Sequence, residues 1–224
     1  NAKVIPIGSI KNNKIPNRSK KKRKILFISE YSNSKAFSPN YKTTNSIIWN
    51  NPQEFILKIL DEYCKKNHIS YSILLRPLQS ISLNEINYYK NLKKKNKLNF
   101  TFKQGKNIFD QYKICDNFNL IITLDSTLGY ENIARHNKTF FLPIRKKFFK
   151  AKNDIWIWNI KRYNKCFIWE DNLDKNIIKS KLDKVFRIKN IKYFKMLGSK
   201  FQKNIFYYDK NNSIIKQLIK DQIH

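Results

Sequence analysis

Glycine and proline are scarce in this 224-residue chain, with only four and six copies. This composition excludes a low-complexity chain. No apolar run approaches the roughly 20 residues that a membrane-spanning helix requires, and the first residues lack the apolar core of a signal peptide. Because apolar residues make up 41%, the chain can form one substantial domain with its own core. Position 1 is Asn rather than Met, so we expect a fragment or a processed chain.

Cysteine and histidine are also rare, at three residues each. The positions concerned are Cys64, Cys115, Cys166, His68, His136 and His224. An odd number of widely spaced cysteines is typical of reduced thiols in a cytoplasmic protein and does not suit a disulfide framework. The histidines do not stand at metal-ligand spacing from the cysteines or from carboxylates. The sequence therefore predicts a cytoplasmic protein with no metal and no other cofactor.

Acidic residues are few, at 16 against 46 Lys and Arg, which gives a formal charge of +30. A charge this large attracts anions such as nucleic acid, anionic lipid or phosphorylated substrates. Lysine is nevertheless spread along the whole chain together with Asn and Ile, and an AT-rich gene would encode this trio. We therefore expect most lysines to be dispersed over the surface, with a local concentration only at the carboxyl ends of the strands.

Apolar runs and helical periodicities alternate through most of the chain. Strands are predicted at residues 24–29, 69–75, 98–103, 120–124, 138–144 and 166–169. Helices are predicted at residues 52–66, 82–95, 107–115, 128–136, 173–186, 193–205 and 213–223. This alternation predicts an α/β fold, with a parallel sheet and helices on both faces. The apolar strand 120–124 should lie near the centre of the sheet. The strand ends should meet at one edge, at Ser29, Arg76, Asp125 and Arg145.

Two basic segments lie outside this alternation. Residues 11–24 are polar and contain Pro16, which predicts a linker or exposed loop after a short strand at residues 3–7. Residues 146–163 combine cations with aromatic residues, among them Trp156 and Trp158. Such a segment can stack on nucleic-acid bases, cover the rim of the sheet or form a lid over a sugar. The sequence leaves these alternatives open.

The strand at 120–124 runs directly into a helix through Asp-Ser-Thr at residues 125–127, which are helix-cap types. Free N–H groups and the dipole at the start of a helix favour an anion, and the hydroxyl groups add donors. Gly129 allows a ligand to approach the first turn. Glu131, on the same side one turn further on, can accept hydrogen bonds from sugar hydroxyls. The alternative is that a hydroxyl residue only caps the helix and that Glu131 pairs with Arg135.

Arg76 closes the apolar strand at 69–75, which places it at the edge where α/β sheets bind ligands. Its planar guanidinium group suits phosphate or carboxylate. The alternative is a surface arginine that pairs with a nearby acid.

The run D-S-T-L-G-Y-E-N-I-A-R at residues 125–135, closing an apolar strand and followed by K-T-F-F, resembles the donor-binding turn of GT-B glycosyltransferases. More narrowly, it resembles a bacterial family of surface-carbohydrate biosynthesis transferases, which build polysaccharides of the capsule or lipopolysaccharide type. Shorter stretches resemble the same family in the same order: I-P-I-G-S, K-I-L-F-I-S-E-Y, L-L-R-P and F-I-W-E-D-N-L-D. Together they extend from Val4 to about Val185.

This resemblance implies that the chain is the C-terminal half of a GT-B fold, with a Rossmann-like sheet. Residues 1–23 would comprise the last strand of a missing N-terminal domain and a basic linker. Residues 24–224 would form a Rossmann-like donor-binding domain with C-terminal helices. The catalytic base would come from the missing domain, so no catalytic residue is assigned. Related GT-B proteins often carry His-Pro where this chain has Arg76-Pro77.

The resemblance also implies an activity, the transfer of a sugar from a nucleotide-activated donor to a surface polysaccharide or lipid-linked acceptor. The residues implied in donor and phosphate binding are Arg76, Ser126, Thr127, Gly129, Glu131 and Arg145. The hydroxyl residues would hold phosphate, the carboxylate would bind ribose, and the arginines would neutralise the leaving phosphate. No metal is then required. The basic charge would favour peripheral contact with an anionic membrane on its inner face.

Two alternative functions stay open at this point. A basic nucleic-acid-binding protein would explain the charge, but the charge is scattered and no RNA- or DNA-binding motif occurs. Nucleic acid is therefore not expected as a partner. A non-catalytic remnant of a transferase would keep the fold without its partner domain.

Overall fold

The computed structural model describes residues 8–16, 22–78, 83–150, 167–198 and 209–223. The helices are α1 Ile10–Asn13, α2 Asn45–Lys66, α3 Leu83–Asn96, α4 Ile108–Cys115, α5 Thr127–Ala134, α6 Arg145–Phe148, α7 Lys175–Arg187, α8 Asn190–Leu197 and α9 Ser213–Ile223. The strands are β1 Lys22–Ile28, β2 Phe37–Ser38, β3 Thr43–Thr44, β4 Ser70–Leu74, β5 Thr101–Lys103, β6 Phe118–Thr123 and β7 Thr139–Phe141. A short 3-10 turn at Lys210–Asn212 precedes α9.

Five strands form one sheet in the order β5-β4-β1-β6-β7. Every neighbouring pair is parallel, so the predicted parallel sheet is confirmed. Strand β6, which contains most of the predicted strand 120–124, lies beside the central strand β1. Strands β2 and β3 form a separate antiparallel pair.

The central strand buries side chains on both faces of the sheet. Ile25 and Phe27 belong to one apolar layer, together with residues of α2 and α7. Leu26 and Ile28 belong to the other, together with Cys115 of α4. Successive side chains of a strand point to opposite faces, so a continuous apolar run requires cover on both. The prediction of helices on both faces is therefore confirmed.

Helix α2 begins at Asn45 and contains Pro52 in its interior, whereas the sequence predicted a start at Pro52. Proline has no N–H to donate to the preceding turn, which is why it favours a first-turn position. Ile48 and Ile56 are both almost fully buried. Packing of this apolar face thus extends the helix back over a segment in which the sequence shows no clear period.

Part of the predicted linker forms helix α1 and packs against the domain. Asn12 and Asn13 are fully buried. The Asn12 side chain donates to the carbonyl of Glu131 at 3.2 Å, and that of Asn13 donates to Asn212 Oδ1 at 2.9 Å. An exposed loop is therefore wrong for these residues, because their amides pair with buried groups. The predicted strand at residues 3–7 lies outside the described residues, and the domain division at residue 23 stays a prediction.

Arg135, which follows α5, fixes α1 in place. Its side chain is fully buried, and its guanidinium group forms a two-pronged ion pair with Asp116. The remaining nitrogen, Nη1, donates to Asn12 Oδ1 at 3.1 Å and to the carbonyl of Ile15 at 2.8 Å. The acid that pairs with Arg135 is thus Asp116, and not Glu131 as the alternative interpretation of the sequence supposed.

No helix in the described ranges is long and apolar enough to cross a membrane. Residues 151–166, which include Trp156, Trp158 and Cys166, lie outside those ranges, so the alternatives for the basic aromatic segment stay open. The strand predicted at 166–169 corresponds, in its described part, to an isolated parallel bridge between Phe141 and Trp169.

Candidate functional site

A cavity of about 790 Å³ lies at the carboxyl ends of β1, β4 and β6. It is lined by Ile28, Ser29, Glu30, Tyr31, Ser32, Trp49, Leu74, Leu75, Arg76, Pro77, Ile108, Gln111, Asp125, Ser126, Thr127 and Leu128. Only some of the site residues proposed from the sequence line this cavity. Arg76, Ser126 and Thr127 line the cavity, whereas Gly129, Glu131 and Arg145 are not among its lining residues.

The turn between β6 and α5 forms one wall of the cavity. The Ser126 side chain caps α5 by accepting from the N–H of Leu128 at 3.3 Å, and the N–H of Gly129 donates to the Ser126 carbonyl at 2.9 Å. The N–H of Thr127 has no hydrogen-bond partner among the described residues. The sequence predicted free N–H groups at the start of this helix, which comprises residues 127–129. The cap satisfies two of them, and Thr127 alone offers a free backbone donor to a ligand.

Glu30, at the end of β1, holds this turn and was not singled out from the sequence. Its Oε1 accepts from Thr123 Oγ1 at 2.6 Å, from the Leu124 N–H at 2.8 Å and from the Asp125 N–H at 3.2 Å. Its Oε2 accepts from Arg145 at 2.7 Å. A carboxylate two residues beyond an apolar run that ends a strand, as in K-I-L-F-I-S-E-Y, was the available signal.

Arg145 is buried beneath the turn and does not face the cavity. Its side chain is only 3% exposed and pairs with both Glu30 and Asp125. The guanidinium carbon lies 3.9 Å from the centre of the Trp49 ring. The expectation that Arg145 contacts a leaving phosphate is therefore not met by this geometry. The guanidinium group is already paired with two buried carboxyl groups and is therefore not available to a ligand in the cavity.

Arg145 thus pairs with two carboxyl groups, those of Glu30 and Asp125. The pKa of Glu30 is lowered and that of Asp125 is raised. Burial raises the pKa of Glu30, but the Arg145 charge and several hydrogen bonds outweigh burial and hold it below its ordinary value. Burial and then the charge of Glu30 raise the pKa of Asp125 to about 8, despite the opposing effect of Arg145. At neutral pH the cluster therefore has one ionised carboxylate, one neutral carboxyl and one guanidinium, with no net negative charge to repel an anion.

The raised pKa of Asp125 predicts a pH dependence of stability. Between about pH 4 and pH 8 the folded chain carries a proton on Asp125 that the unfolded chain has released. The contribution of this group to the free energy of unfolding therefore falls as pH rises through that window, by at most about 1.4 kcal/mol per unit. Asp125→Asn should flatten the profile in urea unfolding between pH 5 and pH 8. Equal slopes for the variant and the parent would contradict the raised pKa of Asp125.

Arg76 lies at the exposed rim of the cavity, beyond the end of β4. Its Nη2 donates to the carbonyl of Tyr31 at 2.7 Å, and its own carbonyl accepts from the Gln104 side chain at 2.9 Å. Burial raises the pKa of the nearby Glu85, and the Arg76 charge opposes that rise. The guanidinium group is therefore oriented by its hydrogen bond to the main chain of Tyr31 while it lines the cavity.

Glu131 is turned towards α1 and away from the cavity. Its Oε1 accepts from the Ser9 hydroxyl at 2.6 Å, and its Oε2 accepts from the Tyr112 hydroxyl at 2.9 Å. The expectation that Glu131 faces the same side as the start of α5 and accepts hydrogen bonds from sugar hydroxyls there is thus not met. The reason is that two hydroxyl donors from α4 and the N-terminal segment hold the carboxylate on the outer side of α5.

Gly129 is buried between α5 and the sheet. A Cβ at this position would lie 2.7 Å from Thr123 Cγ2 and 2.9 Å from Phe141 Cε1, both closer than van der Waals contact permits. The glycine is therefore required for close packing of the helix on β6 and β7. The sequence suggested that Gly129 lets a ligand approach the first turn of α5. Its close packing against Thr123 and Phe141 does not support that role.

Among the described residues, no group of three or more His, Cys, Asp and Glu side chains is arranged to hold a metal ion. In the described part of the chain, Arg76 is the only Lys or Arg residue that lines the cavity. A phosphate bound here would therefore meet Arg76, the free N–H of Thr127 and the hydroxyl groups of residues 126 and 127.

Comparison with known proteins identifies both a family and a fold. The sequence profile of a family described as "putative O-antigen biosynthesis protein" matches residues 1–223. No curated protein matches the chain. Similar solved structures include the wall teichoic acid polymerase TagF, with 17% identity and a TM-score of 0.51 over 95% of this chain and 46% of that one. They also include an S. aureus MnaA–UDP complex, with 10% identity and a TM-score of 0.52 over the same shares.

These structures share the Rossmann-like parallel sheet of GT-B proteins, so the fold expected from the resemblance is confirmed. The chain spans less than half the length of either of them. The family match covers nearly the whole chain and agrees with the resemblance seen in the turn at residues 125–135. This chain is therefore a member of that O-antigen biosynthesis protein family.

Proposed function

We propose that this chain is the donor-binding domain of a glycosyltransferase, which transfers a sugar from a nucleotide-activated donor to a surface polysaccharide or a lipid-linked acceptor. The observation that carries the proposal is the meeting of Thr127 and Arg76 at one cavity. A free helix N–H and a guanidinium group are the two donors that a phosphate group prefers. Membership of an O-antigen biosynthesis family supports a carbohydrate substrate.

Phosphate binding is assigned to the Thr127 N–H, the hydroxyl groups of Ser126 and Thr127, and the Arg76 guanidinium group. The neutral carboxyl of Asp125 avoids repulsion at the same wall of the cavity. Arg145 acts indirectly, by fixing Glu30 and Asp125 beneath the turn. The S. aureus MnaA structure of the same fold is a complex with UDP, which supports a nucleotide ligand.

We retain ribose binding by Glu131 in the proposal, with the added requirement that an existing hydrogen bond is replaced. Both of its carboxylate oxygens already accept hydrogen bonds, from Ser9 and Tyr112. A ribose hydroxyl would have to replace the Ser9 hydroxyl, which lies just before α1, and the carboxylate would have to turn towards the cavity. Donor binding and the position of residues 9–16 would then be coupled through one carboxylate.

Catalysis is assigned to the complete GT-B protein. Positive charge and N–H donors at the cavity would stabilise the departing nucleotide phosphate, without a metal ion. The catalytic base is proposed to lie on the other domain of the complete GT-B protein. A cytoplasmic location, with the basic surface beside an anionic membrane, suits an acceptor made at that membrane.

Calorimetry with nucleoside diphosphates tests the proposed function. Arg76→Ala should weaken binding of the diphosphate by roughly 1.5–3 kcal/mol, because a charged hydrogen bond is lost, and should leave binding of the free nucleoside unchanged. Lys66→Ala is the matched control. It also removes one exposed positive charge, but at the end of α2, on the opposite edge of the sheet.

Two outcomes would count against the proposal. If the parent chain binds none of the diphosphates of uridine, cytidine, adenosine and guanosine, the nucleotide site is absent. If Arg76→Ala and Lys66→Ala weaken binding equally, the interaction is a general attraction between an anion and a basic protein. That second result would favour the nucleic-acid alternative, for which a steep dependence on salt is expected.

A further inference from the structure

The wall of the cavity contains a buried amide, Gln111, that takes no part in the proposed binding of phosphate. It lies on α4 and is only 2% exposed. Its Nε2 donates to the carbonyl of Leu75 at 3.0 Å. Its Oε1 is buried and has no hydrogen-bond partner among the described residues. Buried polar atoms are almost always paired, so an unpaired acceptor at a cavity wall indicates a missing donor.

Several aliphatic side chains share the cavity lining with Gln111 and with the polar groups of the phosphate site. Ile28, Leu74, Leu75, Ile108 and Leu128 line the same cavity. This combination of aliphatic side chains and a single amide acceptor suits a flat, largely apolar ring that presents an N–H at its edge. A sugar has hydroxyl groups on every side, and an ionised phosphate offers no donor to an amide oxygen.

The main chain around Gln111 is held from several sides. The N–H of Leu75 donates to the carbonyl of Lys103 at 2.9 Å, and the N–H of Leu78 donates to that of Gly105 at 3.0 Å. The side chain of Asn107 caps α4 by accepting from the N–H groups of Phe109 and Asp110. The acceptor therefore sits on a preorganised wall rather than on a mobile loop.

We propose that Gln111 reads the base of the bound nucleotide, with its Oε1 accepting a hydrogen bond from an N–H group on the edge of the nucleobase. The proposal rests on the proposed function, since the base is joined through ribose to the phosphate held at Thr127 and Arg76. The donor is an imide or exocyclic amine N–H, and uracil, cytosine, adenine and guanine each possess at least one such group. The proposal therefore specifies an N–H donor on the base and does not specify which base. Binding measurements with the four nucleoside diphosphates identify the base.

The test compares two probes that differ only in the base. One is the tightest-binding nucleoside diphosphate of the panel, and the other is ribose 5-diphosphate. For the parent chain, the nucleoside diphosphate should bind at least about tenfold more tightly, because the ring fills the apolar wall and pairs with the amide. In Gln111→Met, which keeps the length of the side chain and removes the acceptor, most of this difference should disappear. Binding of ribose 5-diphosphate should stay within about twofold of the parent value.

The outcomes separate the two proposals. If neither probe binds the parent chain, the proposed function fails and this inference fails with it. If both bind the parent equally, a phosphate site exists but the base is not read, so only this inference is overturned. It is likewise overturned if Gln111→Met weakens both probes equally. The comparison of probes on the parent chain needs no variant, so it stands even where Gln111→Met folds poorly.

Discussion

Replacing Arg145 with Met is expected to lower the free energy of unfolding by about 3–5 kcal/mol, which is the usual cost of removing one partner from a buried ion pair. The substitution leaves Glu30 and Asp125 facing each other beneath the turn with no cation between them. Because Asp125 is neutral at pH 7, the cost comes from the ionised Glu30, which is left buried without a cation. The hydrogen bonds that Glu30 accepts from Thr123, Leu124 and Asp125 would not offset that cost. Urea unfolding at pH 7 measures the effect.

Lys147→Met provides a matched control on the same short helix. Lys147 pairs with Asp171 at 2.8 Å, but its side chain is 50% exposed, and pairs of this kind contribute at most about 1 kcal/mol. If Arg145→Met cost no more than Lys147→Met, the buried cluster would not be what holds the turn. The nucleotide affinity of Arg145→Met, measured under conditions in which it is folded, should also fall, because the turn that carries Thr127 loses its support.

Replacing Arg135 with Met should have an effect of similar size, about 3–5 kcal/mol, with an additional local consequence. Asp116 would be left buried without its guanidinium partner, and the bonds to Asn12 and Ile15 would be lost. Residues 9–16 should therefore detach from the domain. Hydrogen exchange should become faster there than in β1 and β6.

The control for Arg135→Met is Arg187→Met. Arg187 also pairs with an aspartate, Asp183, but on the surface of α7 with its side chain 60% exposed. We expect no comparable loss of stability and no change in exchange at residues 9–16. Equal exchange rates in Arg135→Met and the parent would mean that α1 is held by other contacts, such as those between Asn13 and Asn212.

The fold was accessible from the sequence because each strand of the sheet carries its own local signal. The apolar, β-branched run predicted as 120–124 is observed as Phe118–Thr123, and that predicted as 69–75 is observed as Ser70–Leu74. Such runs mark buried parallel strands without reference to the rest of the chain. The start of helix α2 was predicted at Pro52 but lies at Asn45. Its first turns are stabilised by the burial of Ile48, and the periodicity of the sequence does not reveal this packing.

The site was only partly accessible, because its side chains find partners that are far away in sequence. The contacts of Glu30 with residues 123–125 span more than 90 positions, and no local spacing indicates them. Arg145 was placed correctly at the carboxyl edge, but burial between two acids changes its role. The sequence predicted that Glu131 either binds sugar hydroxyls or pairs with Arg135. In the structure its carboxylate instead accepts hydrogen bonds from Ser9 and Tyr112.

The order of strands in the sheet has a consequence for folding during synthesis. The central strand β1 pairs with β4 on one side and with β6 on the other, so one edge of β1 stays unpaired until residue 123 has been made. With residues 29–117 between these two strands and translation at about 5–20 residues per second, the exposed interval lasts roughly 5–18 s. During that time the apolar segment Ile25–Ile28 can pair with another chain, as unprotected strand edges do. Aggregation of nascent chains should therefore respond to chaperones that bind before residue 123 emerges, and much less to those that act later.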